Sequence, residues 1–112
     1  MSDNFKITKN NIKEILESMH DQIETALTEC GMDAESYAKK ECPVDTGRLR
    51  NSITFSTEVG ESEAVMIVGT NVEYAQFVED GTSRMSPRPY LKPAIADHKS
   101  HYMQVIKRNL QE

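Results

Sequence analysis

Between residues 10 and 41, apolar side chains recur at Ile12, Ile15, Leu16, Met19, Ile23, Ala26, Leu27, Cys30, Ala34, Tyr37 and Ala38. Steps of three and four put them on one stripe of an amphipathic helix. Asn10 or Asn11 can cap its start. Pro43 ends it, because the residue before a proline avoids helical geometry. Gly31 weakens the middle by up to ~1 kcal/mol, yet the stripe keeps its phase across it. One helix, kinked at most at Gly31, is the expectation.

Length makes this helix informative. About 30 helical residues span ~45 Å. A compact domain of 112 residues has a radius of gyration near ~13 Å and a diameter of about 35 Å. The helix therefore bends, or one end projects beyond the body. A projecting apolar stripe calls for another chain to cover it. The chain is long enough for one domain, residues 1–112, and too short for two ordinary ones.

Beyond Pro43 the periodicity changes. Ile53, Phe55, Thr57 and Val59 alternate with Thr54, Ser56 and Glu58, as in a half-buried strand. RLRNSI (48–53) starts that strand. Residues 60–63 supply a turn, and AVMIVG (64–69) reads as a second, more buried strand, giving an antiparallel hairpin. VEYAQFVEDGT (72–82) sets Tyr74, Phe77 and Val78 at helical spacing, closed by Gly81. Pro87, Pro89 and Pro93 make residues 83–93 a loop or extended edge segment. Pro93 also suits the first turn of a closing helix, whose stripe runs through Ala94, Ile95, His98, Tyr102, Val105, Ile106 and Leu110. The class expected is α+β: a long N-terminal helix, a small antiparallel sheet, a short helix, a Pro-rich loop and a C-terminal helix packed on the sheet.

Composition narrows the function. Net charge is −5 and the sequence pI is about 5.2, whereas a nucleic-acid binder shows a basic patch at high pI. Only Arg84, Arg88 and Lys92 cluster, so sequence-specific nucleic-acid binding is not expected. No apolar run approaches the ~20 residues that span a bilayer, and MSDNFKITKNN lacks a signal peptide's apolar core, so a cytosolic start is expected. Cys30 and Cys42 are no disulfide framework. On a helix they sit ~18 Å apart, beyond bridging distance. Cys30 falls on the apolar face and reads as core.

Asp45-Thr46-Gly47 is the tripeptide of aspartic proteases, whose paired carboxylates share a proton. Those proteins are nearly all β, with the motif on a loop fed by an apolar strand. Here it follows a long helix. The architectural reading explains more: Pro43 stops the helix, Asp45 accepts backbone hydrogen bonds from Gly47 or Arg48 in an Asx-turn or N-cap, and Gly47 lets the chain reverse. An Asp45–Arg48 ion pair can fix the corner. His98 and His101, with Asp97, fall short of the three or four converging ligands that zinc needs. No catalytic residue, metal or cofactor is expected. Glu79 and Arg88 flank the Pro-rich loop and can pair across it. Tyr90, beside Pro89, is a candidate interface anchor.

Three pieces stand in order: PVDTGRLRNSI (43–53), VGTNVEYAQFVEDGT (68–82) and RPYLKPAI (88–95). Together they resemble the tail-completion and head–tail connector family of long-tailed bacteriophages, over about residues 10 to 110. Cys42, Tyr90 and Asp80 depart from the family pattern. The resemblance implies a non-enzymatic structural protein of a phage or prophage. It would form a ring, typically of six copies, at the neck between the head connector and the tail tube. It would be made in the host cytoplasm and carried into the virion, with DNA free to pass through the ring. Another phage structural role, as a minor capsid or tail-tube component, is the alternative, and a homodimeric protease using Asp45 a remote one. Expected structural motif residues are Pro43, Asp45, Thr46, Gly47 and Arg48. Expected contacts to other copies or partners are Tyr74, Glu79, Gly81, Thr82, Arg84, Arg88, Pro89 and Tyr90. The acidic N-terminal helix of one copy would meet the Arg84–Lys92 region of the next.

Overall fold

A computed structural model of the chain describes residues 2–7, 17–44, 47–61 and 63–110. Three strands form one antiparallel sheet: β1 (Ser2–Ile7), β2 (Thr54–Val59) and β3 (Ala64–Gly69), in the order β1-β3-β2. Five helices are described: α1 (His20–Glu41), α2 (Arg48–Ser52), α3 (Ala75–Asp80), α4 (Leu91–Ala96) and α5 (Lys99–Leu110). This is the α+β class expected, with the long helix in place from His20. The stretch assigned to that helix before residue 17 lies outside the described residues.

β3 is the central strand, which is why AVMIVG is apolar on both faces. Ala64, Met66 and Val68 are buried, and Val65 and Ile67 are half-buried on the other side. The hairpin closes with the Gly60 N–H donating to the Glu63 carbonyl at 2.8 Å. α1 lies across β2 and β3, and α5 packs on α1, so the long helix sits between sheet and closing helix. Its buried face is Ile23, Ala26, Leu27, Cys30, Gly31, Ala34 and Ala38. Small side chains there let the sheet come close. The molecule measures 50 × 20 × 20 Å, elongated as a long helix in a small chain requires.

Three elements differ from the sequence reading. β1 was not expected; it fills the second edge of β3, pairing Ser2 with Gly69 through to Ile7 with Ala64. RLRNS, read as the start of the first strand, is the helical turn α2, with the Asn51 N–H donating to the Gly47 carbonyl at 2.9 Å. The closing helix is two pieces, broken at Asp97-His98. α4 lies beside β1 and α5 along α1. The Tyr102 hydroxyl donates to the Ala94 carbonyl that the break leaves without a helical partner.

Candidate functional site

The ends of α1, α2 and α3 and the Pro-rich loop meet around a groove of about 530 Å³, lined by Pro43, Gly47, Arg48, Leu49, Tyr74, Val78, Met85 and Arg88. Each wall has a local cause. α1 stops at Cys42, whose ψ of 130° is the extended geometry forced by Pro43. Gly47 then takes φ 83°, the left-handed region that favours glycine, and launches α2. Asp45 and Thr46 lie outside the described residues. The described chain on either side is the end of α1 and the start of α2.

α2 is fastened to the end of β3. The Ser52 and Thr70 hydroxyls meet at 2.5 Å, Ser52 also donates to the Leu49 carbonyl at 2.6 Å, and Thr70 Oγ1 accepts the Val72 N–H at 3.1 Å. Arg48 forms a two-pronged pair with Glu73, at 3.1 and 2.9 Å, and lies over the Tyr74 ring at 5.5 Å. That pairing holds the Glu73 carboxyl below the usual carboxylate range and the Arg48 guanidinium above its ordinary value. Arg48 thus takes one partner from the second motif piece.

Glu79 does not reach across the loop to Arg88. It is 2% exposed, and its carboxylate accepts the backbone N–H groups of Tyr90 (3.1 Å), Leu91 (2.8 Å) and Lys92 (3.3 Å). A helix start leaves four N–H groups without helical partners. In α4 three of them go to Glu79, and the fourth position is Pro93, which has none. An internal carboxylate from α3 therefore caps α4. The Arg88 backbone N–H donates to the Val78 carbonyl at 2.8 Å, bringing the loop back onto α3.

Tyr90 is 0% exposed, so neither it nor Glu79 can touch another molecule directly. Burial pushes its phenol pKa up, and its hydroxyl has no hydrogen-bond partner among the described residues. Gly81 ends α3 at φ 76°, where an added Cβ would stand 2.7 Å from the Pro87 nitrogen. Thr82 and Met85 exchange a bridge across the loop tip, and Lys92 pairs with Asp80 at 3.0 Å. Thr82, Arg84, Arg88 and Pro89 remain on the surface.

The histidines singled out earlier turn to α1. His98 stacks on Tyr37 with ring centroids 3.5 Å apart, and His101 Nε2 lies 2.6 Å from Asp33 Oδ2. Cys30 is in the core, its thiol pushed up to about 12 by burial and by the nearby acids Asp33 and Glu29. Among the described residues, His20, Asp21 and Glu24 form one exposed grouping of metal-ligand type on a single helix face. No described helix is long and apolar enough to cross a membrane.

A family model described as "Bacteriophage HK97-gp10, putative tail-component" matches residues 6–81. That range runs from the last two residues of β1 through α3; it includes the first motif piece and all but the last residue of the second, and the third, 88–95, lies beyond it. No curated protein and no solved structure matches the chain.

Proposed function

The chain belongs to the HK97-gp10-like family of bacteriophage tail components, and from that we propose that it is a neck protein. Copies assemble as a ring, typically of six, that completes the tail and joins it to the head connector. The family match across most of the chain carries this reading. The architecture supports it: a stiff helix, a proline-braced basic loop and an acidic body make an elongated subunit with two unlike ends. The partners are other copies, the head-connector protein and the tail-tube protein. The chain acts in the host cytoplasm during assembly and then in the virion neck. Its role needs no catalysis, and its net charge of −5 lets DNA pass the ring without sticking.

The test is electron microscopy of particles from a phage or induced prophage lacking this gene. DNA-filled heads and finished tails that are separate, and that join when the protein is added, are the expected result. Joined virions in its absence would reject the neck role in favour of a minor capsid or tail-tube role.

A further inference from the structure

Two open recesses lie toward opposite ends of α1, and their charges are opposite. The first is on the outer face of the helix, lined by Asp21, Glu24, Thr25, Thr28, Glu29 and Met32. Residues 17–38 hold six acidic residues and no lysine or arginine; of the lining carboxylates, Glu29 pairs with Arg108 of α5, and Asp21 and Glu24 lie beside His20. Met32 stands out of this face at 60% exposure, a large apolar side chain left in water. The second is the groove described above. Arg48 and Arg88 flank its apolar walls of Leu49, Tyr74, Val78 and Met85. Residues 81–96 hold Arg84, Arg88 and Lys92 and no acidic residue. Val44 and Phe77, chain neighbours of the lining residues Pro43 and Val78, are 57% and 55% exposed.

The groove is apolar at its walls, and with Arg48 paired to Glu73 the basic part of its rim is Arg88, with Arg84 on the same loop, so its complement is an acidic surface carrying an apolar knob. The α1 outer face has that chemistry. It cannot serve its own groove: a 22-residue helix is about 33 Å long, and the groove lies past its far end. A second copy can supply it.

We infer that the Asp21–Met32 face of α1 in one copy seats in the groove of the next, Met32 entering among Tyr74, Val78 and Met85 while Asp21 and Glu24 face the arginines. Two different patches meet in such a contact, so it is head-to-tail and propagates from copy to copy until the rotation closes it. Opposite charges at the two patches steer the encounter and fix its direction. The inference rests on the assembly of copies proposed above and adds which faces meet.

Disulfide trapping tests it on the full chain. Met32→Cys and Met85→Cys proteins carrying tags of different length are mixed and oxidised, so that mixed and like dimers separate by size. Cys30 and Cys42 are buried and stay out of the reaction. Mixed dimer in excess of the random half is expected. Adding Arg88→Glu to the Met85→Cys partner removes the excess, and Glu24→Arg on the other partner recovers it. All positions changed are on the surface, and circular dichroism checks that each variant keeps the parent fold. Random proportions, or an excess indifferent to Arg88→Glu, would overturn the contact. Random proportions from a protein that still rejoins heads and tails would leave the neck role standing. Excess mixed dimer from a protein that fails to rejoin them would reject the neck role and keep the contact.

Discussion

The Phe55 ring occupies the space above Gly31: a Cβ on that glycine would stand 2.2 Å from Phe55 Cδ2. The glycine in the middle of the long helix is therefore the seat on which β2 rests. At an exposed helix position, Gly→Ala gains up to ~1 kcal/mol. Here the sign reverses, because real Cβ atoms are not found that close to a ring. Gly31→Ala is expected to destabilise by about 1–3 kcal/mol, the range for overpacking. Urea denaturation of G31A, F55L and the double variant checks it. The double variant should be more stable than the sum of the single losses, since the smaller side chain vacates the clash. Additive losses would mean that the ring is not what Gly31 accommodates.

The Glu79 carboxylate is the next most vulnerable point. Glu79→Ala leaves three backbone N–H groups at the start of α4 without their acceptor. Each unmet buried donor costs about 1–3 kcal/mol, moderated where water can enter, so a loss of at least ~2 kcal/mol is expected. Glu79→Gln keeps one carbonyl acceptor and should lose less. Hydrogen exchange locates the effect, with the Tyr90, Leu91 and Lys92 amides exchanging faster in both variants. Unchanged protection at those three amides would contradict the capping role.

Locally encoded features were legible in the sequence. Pro43 as a helix stop, the alternation of Phe55, Thr57 and Val59, the apolar run of β3 and Gly81 as a terminator all act within a few residues of themselves. Features that depend on distant partners were not. β1 is SDNFKI, an edge strand with little alternation, and it exists because β3 offers an unpaired edge. RLRNS runs directly into the β2 alternation, and only Gly47 signals a turn first. Glu79 looked available for Arg88 because ion pairing is the usual fate of a loop-flanking carboxylate. Its real partners, 11 to 13 residues on, are backbone groups with no side-chain signature. Pro43, Gly47, Arg48, Tyr74 and Arg88 were each singled out in the sequence, but not as one groove, since its walls come from separate stretches.

The Arg48–Glu73 pair is exposed on both sides, 57% and 71% by side chain. Such pairs contribute little to stability and weaken with salt. Arg48→Ala should therefore leave the urea midpoint nearly unchanged. If the groove receives another copy, the same variant should lower the mixed-dimer yield of the trapping experiment. A large fall in stability with no change in trapping would make Arg48 a fold-fixing residue instead.

Cys30 provides a pH test of the core. Its thiol is raised from an ordinary 9.0 to about 12 in the folded chain, because the thiolate would be buried beside Asp33 and Glu29. The folded state thus keeps a proton that the unfolded state releases. The resulting stability is fully present below pH 9 and is lost as pH rises from there toward about 12. One proton of difference gives a slope of about 1.4 kcal/mol per pH unit. Burial raises the Tyr90 and Tyr102 phenols as well, which steepens the decline above pH 10, their ordinary value. Burial raises the Cys42 thiol too, so Cys30→Ala should reduce but not abolish the slope between pH 9 and 10, measured by urea denaturation at stepped pH. In the same protein the Cys30 thiol should resist alkylation at pH 8 until denaturant is added. A thiol that reacts in the native state at that pH would show that the α1–α5 packing opens readily.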